Sequence, residues 1–351
     1  MRAMDIRARI FAAIGVGGLV LGNTAACGSE GSTNPVNVDA GGDAATRADS
    51  SGDASPSPAD AAKPADAASS DAPIILTDTG ASDTSFDGPS PSPRRPFLVG
   101  SSLRVAEVSE RDDWASPLGE SAALDPSTAE WLGRSWLADA REEHASIAAF
   151  ARFTLLLLSV GAPPDLVLAS QRASIDEIRH ARGCFALARR YSGRSAGPGA
   201  LVVSDALGAM SLAEMAALTA EEGAVGETLG VVLATEQLAL ATDPEVRALP
   251  ARIVTDEARH AELSWGFLRW AIAKGGAPVR RAAEHAFRAA IDKTRATPTR
   301  TYDVALAAWH AHGRLTCAEA RAVTERGIRD VLEPCASALF RLEPVAQPAL
   351  A

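Results

Sequence analysis

Two five-residue stretches decide the reading of this chain: Asp176-Glu177-Ile178-Arg179-His180 and Asp256-Glu257-Ala258-Arg259-His260. In an α-helix, residues three apart share a face. Glu177 and His180 can therefore be aimed at one atom, and so can Glu257 and His260. An acidic pair lies upstream of each stretch, Glu142-Glu143 before the first and Glu221-Glu222 before the second. Glu143 precedes Glu177 by 34 residues, and Glu222 precedes Glu257 by 35. The same polar pattern thus occurs twice, 80 residues apart.

The surrounding sequence predicts four long helices. Asp125-Pro126 supplies an N-cap and a proline at the first helical position. From there Trp136, Ile147, Phe150, Thr154 and Leu157 fall on one helical face, as far as about Ser159. Gly161-Ala-Pro-Pro-Asp165 breaks the pattern. A second helix is expected from about Pro164 to Arg190, and a third over roughly 204–241. The fourth starts at Thr242-Asp243-Pro244 and runs to Lys274, where Gly275-Gly276 stops it. Short, long and short connections suit two antiparallel hairpins joined by a crossover. Glu143 lies 16 residues before Ser159, and Glu177 lies 13 after Pro164. At about 1.5 Å rise per residue their depths agree within about 5 Å. Residues 278–340 hold about three further helices of weaker pattern.

Four carboxylates and two imidazoles inside one bundle would be severely unfavourable without cations. Two divalent metals would cancel their charge. This mixed O/N donor set leaves Fe, Mn and Zn open. A single Glu-x-x-His is no more than an ordinary pair on a solvated face. Two copies, each with an upstream Glu at near-equal spacing, point to a metal centre.

The pattern resembles the ferritin-like di-iron carboxylate proteins, in which two helices each give a Glu and two others each give Glu-x-x-His. The doubled Asp-Glu-x-Arg-His is especially similar to bacterial multicomponent di-iron monooxygenases, and also to rubrerythrins and the ribonucleotide reductase small subunit. The resemblance covers roughly 126–274. It implies an all-α, ferritin-like four-helix bundle at 126–274, followed by a helical C-terminal extension at 275–351. It also implies roles. Glu143 with His180 would hold one metal and Glu222 with His260 the other. Glu177 and Glu257 would bridge them. Asp176 and Asp256 would accept the N–H of a ligating His from the facing helix, with Arg179 and Arg259 beside them. Glu227 could replace or supplement Glu222, with Gly223 and Gly226 letting the helix bend there. Glu142 and Glu221 are about 100° off the ligand face. His144, next to a ligand but pointing elsewhere, reads as a surface residue or one just outside the ligands; His285, His310 and His312 read as structural or exposed, and Cys184 as core. Cys317 and Cys335 could form a disulfide in an exported protein.

The N-terminal part has a different character. Arg2, Arg7 and Arg9 precede an apolar run at 10–21, and Ala25-Ala26-Cys27 follows. That is an export signal, and it resembles a bacterial lipoprotein signal, with Thr24 where Leu is usual. The expected product is a lipidated Cys27 after removal of the signal at 1–27, exported and anchored on a membrane facing the periplasm or cell surface. Gly28 after that Cys favours the outer membrane by analogy. Residues 28–95 are mostly Ala, Asp, Ser, Gly and Pro, with eleven acidic and four basic residues. They cannot bury enough apolar surface to fold and are expected to be a disordered tether. Residues 96–125 form an approach segment without an assigned element.

The whole chain has 351 residues, with 34 Lys+Arg against 44 Asp+Glu. This acidic balance argues against a nucleic-acid binder, and four Cys in this length exclude a disulfide scaffold. Among functions, a di-iron oxidoreductase reacting with O₂ or H₂O₂ comes first, ferroxidase- or peroxidase-like, because the chain has no flavin or iron–sulfur motif for electron supply. An oxidase or hydroxylase of a small-molecule substrate would need an unidentified electron donor. The alternatives are a metal-sequestering lipoprotein and a redox-silent helical scaffold.

Overall fold

The computed structural model describes residues 3–15, 94–100, 102–119, 124–297 and 306–341. Cys27 and most of the expected tether lie outside the described residues. The fold is all-α. Helix α1 (Ala3–Ala13) comes first. Helix α2 (Pro126–Ser159) starts where Asp125 accepts the Thr128 N–H at 2.9 Å. Helix α3 (Pro164–Ser192) ends at Gly193, whose φ of 68° is the left-handed closing residue of a helix. Helix α4 (Leu212–Leu218) opens with a reciprocal cap between Ser211 and Glu214. It runs through a π-helical segment, Thr219–Glu227, into α5 (Thr228–Leu240). Helix α6 (Pro244–Ala296) is capped by Asp243. The third helical run therefore starts eight residues later than the sequence suggested. Val202, Val203 and Leu207, ahead of its start, are exposed. The stop expected at Gly275-Gly276 is a local break instead. Gly276 adopts φ 64° and ψ −148°, and the helical run resumes to Ala296.

Helices α2 and α3 pack as one hairpin, and α6 packs on α4, the π segment and α5 as the other. The two hairpins meet chiefly through α3 and α6. Two apolar clusters fill the interior. One contains Leu132, Trp136, Phe185 and Val246; the other contains Phe150, Leu157, Trp265 and Phe267. On α2, α3 and α6 the acidic and histidine residues occupy the stretch where one cluster gives way to the other. The metal-type residues therefore form a polar layer across a bundle that is apolar on both sides of it.

Short elements close the outside. Strand β1 (Leu98–Val99) pairs antiparallel with β2 (Ser102–Leu103), and β3 (Val108–Ser109) pairs with β4 (Gly197–Pro198). This approach segment is strapped to α2. Ser146 Oγ donates to the Arg95 carbonyl at 2.8 Å, Arg141 donates to the Ala106 carbonyl at 3.0 Å, and Phe97 is buried against Ala145 and Ala149. Arg94 and Arg95, assigned to the tether by composition, are part of this strap. Beyond α6 come α7 (Leu306–Ala311), α8 (Cys317–Gly327), a π segment (Ile328–Leu332) and α9 (Glu333–Arg341). Trp309 of α7 stacks on Trp131 of α2 at 3.5 Å. Helix α1, from the expected export signal, lies against α6, α9 and the second π segment, with Ile6, Ile10 and Ile14 buried. Among the described residues no helix is long and apolar enough to cross a membrane. Cys184, Cys317 and Cys335 are free thiols, so Cys317 and Cys335 are not joined.

Candidate metal centre

Six side chains converge in the polar layer: Glu143 from α2, Glu177 and His180 from α3, Glu227 from the π segment, and Glu257 and His260 from α6. They form two overlapping groups, Glu143–Glu177–His180–Glu257 and Glu227–Glu257–His260. Within each group the ligand atoms lie within 4.8 Å of one another. None of the six is more than 2% exposed.

The two histidines and the two α3/α6 carboxylates interlock. Glu177 places one oxygen 3.6 Å from His180 Nδ1 and the other 3.1 Å from His260 Nδ1. Glu257 places one oxygen 3.5 Å from His180 Nδ1 and the other 3.5 Å from His260 Nδ1. Each of these carboxylates thus spans both imidazoles, the geometry of a bridge. Glu143 Oε2 lies 3.8 Å from His180 Nδ1. The outer nitrogens face the aspartates expected for them. His180 Nε2 donates to Asp256 at 3.0 Å, and His260 Nε2 lies 3.7 Å from Asp176. Arg179 binds Asp176 at 2.8 Å, and Arg259 binds both Asp176 at 2.9 Å and Asp256 at 2.5 Å. These contacts fix which ring nitrogen points inward.

One assignment changes. Glu222, expected to be the ligand partnering His260, pairs with Arg152 at 3.3 Å and lies outside both groups. Glu227, held as a possible extra ligand, takes that place. The cause is local backbone geometry. A π-helix closes its hydrogen bonds at i to i+5, so the phase counted from a regular α-helix no longer holds between 219 and 227. Glu142 and Glu221 stay out of the cluster, and Glu221 pairs with Lys293 at 3.2 Å. His144 packs edge-on against Trp114, His285 is exposed, His310 bonds Glu319, and His312 shares a 2.7 Å hydrogen bond with Tyr191.

Sequence reasoning missed the arginines. Arg94 contacts Glu143 Oε1 directly and approaches Asp139, while Arg95 lies over the rings of Phe150 and Phe153 at 4.7 and 4.4 Å. Their run, Ser-Pro-Arg-Arg-Pro, reads as linker, and only the tertiary contacts mark them.

The cluster fits divalent metal. Both oxygens of Glu143, Glu177 Oε2, both oxygens of Glu227, Glu257 Oε2 and both Nδ1 atoms are buried without a hydrogen-bond partner. Buried polar atoms are almost always satisfied. Eight such atoms converging on one place, carboxylate oxygens and imidazole nitrogens together, form a set that could hold a metal ion. The protonation pattern in the absence of metal points the same way. Burial drives Glu143 far above the carboxylate range, with Glu177 adding to it and Arg94 opposing. Burial and Glu257 do the same to Glu227. Burial disfavours the charge on His180, but Asp256, Glu177 and Glu143 outweigh it and raise its pKa to about 10. For His260 burial is likewise outweighed, by Glu257 and Asp176, and its pKa also rises. Burial would raise Glu177 and Glu257, yet His180 and His260 hold Glu177, and His260 with Glu227 holds Glu257, below the ordinary value. Protons therefore occupy the charge-balancing role that cations would take.

Access is narrow. One cavity of about 10 Å³ is lined by Arg94, Trp136, Gln237 and Glu257, and another of about 10 Å³ by Arg95, Arg152 and Glu222. Each has room for one water molecule. Comparison with known proteins finds no match: no family model matches the chain, and neither a curated protein nor a solved structure matches it.

Proposed function

We propose that this chain is a ferritin-like di-iron carboxylate protein, exported and tethered to a membrane through Cys27, that reacts with O₂ or peroxide. The observation that carries the proposal is the convergence of Glu143, Glu177, His180, Glu227, Glu257 and His260, with their inward atoms unsatisfied. Two ferrous ions bound there would supply the two electrons that reduce O₂ partway or cleave peroxide. The chain's own residues do the rest. Glu177 and Glu257 face both imidazoles and can hold two ions at one fixed separation. Asp256 and Asp176 keep Nδ1 of each histidine directed inward. The apolar clusters on both sides keep bulk water out. The chain carries no flavin or iron–sulfur motif to supply electrons, which favours ferroxidase- or peroxidase-like chemistry over hydroxylation. The tight burial of the cluster supports a second reading, a metal-sequestering lipoprotein without turnover.

The test loads the full chain anaerobically with Fe²⁺, counts bound metal, then admits O₂ and follows near-ultraviolet absorbance beside the double variant Glu177→Ala/Glu257→Ala. Two irons per chain and a new absorbance band, both absent from the variant, are expected. Two irons with no response to O₂ or to H₂O₂ would leave sequestration. No bound iron would end both readings.

A further inference from the structure

We propose that Arg94 is a resident cation of the His180 half of the centre, so that metal fills the Glu227–His260 half first and the Glu143–His180 half second. This rests on the two-metal reading of the cluster. The two halves are built from the same residue types but are unequal in what already touches them. Arg94 contacts Glu143 Oε1, and both side chains are almost wholly buried. Arg94 also donates to the Asp139 carbonyl at 3.3 Å and lies 3.6 Å from its carboxylate, but that carboxylate is held more closely by Arg314 at 2.7 Å. An arginine cannot shed its charge in a protein, so a metal arriving at Glu143 meets a guanidinium beside its ligand. Both oxygens of Glu143 and both of Glu227, the corresponding carboxylate of the other half, lack a hydrogen-bond partner; the halves differ in the ion pair, which Glu143 makes with Arg94. Arg95 is the nearest analogue there, but it lies over Phe150 and Phe153 and its field is shared between Glu227 and Glu222.

One contact acts the other way. The His180–Asp256 hydrogen bond, at 3.0 Å, is better formed than the His260–Asp176 contact at 3.7 Å, which makes His180 the better-oriented ligand. Both histidines nevertheless keep an aspartate, so this difference is one of degree. Arg94 is in ion-pair contact with Glu143, whereas Arg95 acts on Glu227 only through its field, and in a buried site the shorter separation dominates. The strap that carries Arg94 is also the point where the chain enters the bundle. The occupancy of the second position is thereby connected to a segment outside the four helices.

The experiment titrates the full chain anaerobically with Mn²⁺ and counts the free ion by electron paramagnetic resonance. Two classes of binding are expected, separated by about tenfold or more, the scale of one buried charge contact. His260→Ala should remove the tight class and His180→Ala the weak one. Arg94→Gln should tighten the weak class by about tenfold, and Arg94→Lys should keep it weak. Two equal classes in the unmodified chain, or His180→Ala removing the tight one, would overturn ordered filling and leave the two-metal site standing. These outcomes do not depend on the Arg94 variants folding. An Arg94→Gln chain that melts normally and binds the second ion no better would also overturn the proposal. Absence of any Mn²⁺ or Fe²⁺ binding would remove the metal reading itself.

Discussion

His180 and His260 set the acid–base behaviour of the centre. The His180 pKa rises to about 10 in the folded, metal-free chain, because Asp256, Glu177 and Glu143 outweigh its burial. The unfolded value is about 6.5. A raised folded pKa gives stability that is complete below about 6.5 and is lost as pH climbs towards 10. The metal-free protein should therefore melt progressively lower from pH 6.5 to pH 10, as followed by circular dichroism; a flat profile would contradict this protonation pattern. Metal must displace the same protons, and those on Glu143 and Glu227 as well. Filling both positions at neutral pH should release about four protons, measurable by calorimetry in buffers of different ionisation enthalpy. A second residue-level case is Arg314, which holds Asp139 at 2.7 Å and lies 3.8 Å over Trp136. Arg314→Ala strands a buried carboxylate and should cost about 3 kcal/mol in a chemical denaturation curve. At this scale the sequence was most legible where the signal was local. Asp-Glu-x-Arg-His specifies ligand, orienting acid and flanking arginine within one helical turn and a half. Arg94 had no local signal, because nothing in Ser-Pro-Arg-Arg-Pro reports a contact with α2 some fifty residues on.

The element that sequence patterning misread is the third helical run. Its apolar periodicity was clear, but the pattern could not show that Thr219–Glu227 is π-helical. A regular α-helix would put Glu222 and Glu227 on widely separated faces; the wider turn brings Glu227 to the ligand position and leaves Glu222 to Arg152. Single π turns recur at functional sites, where they re-aim a side chain without breaking the helix. The glycines of this segment serve close approach. A Cβ at Gly226 would sit 2.9 Å from the Arg94 carbonyl oxygen, and one at Gly223 would sit 2.8 Å from Arg95 Nη2. A backbone carbonyl cannot rotate away as a side chain can. Gly226→Ala should therefore push the strap off the bundle. It should cost about 1–2 kcal/mol despite the better helix propensity of alanine. The readout is faster proteolysis within residues 94–119 at unchanged helical circular dichroism. Unchanged proteolysis would mean that the strap is held independently of this approach.

At the scale of the molecule, the all-α architecture and the paired hairpins followed from periodicity, caps and breakers, which act within a few residues. The packing of the two ends of the chain did not, because it depends on surfaces that exist only once the bundle has formed. Helix α1 is the clearest instance. Its residues read as an export signal, yet Ile6, Ile10 and Ile14 are each no more than 2% exposed against the bundle. Burying three such side chains is worth about 5–9 kcal/mol. Ordering the thirteen described residues that carry them costs at least about 1 kcal/mol each, so these three side chains alone do not offset the cost. Docking of α1 by these side chains is thus marginal, which leaves the segment removable if the chain is exported as proposed. The expectation is a purified native protein whose intact mass begins at a lipidated Cys27. It should melt within a few degrees of an unprocessed Cys27→Ala chain, since about 1 kcal/mol moves the midpoint of a domain this size by about 2–4 °C. A mass beginning at Met1, or a processed chain that melts more than about 10 °C lower, would make α1 an integral wall of the fold. The export and anchoring parts of the proposal would then fail while the metal centre, built wholly from residues after 93, would stand.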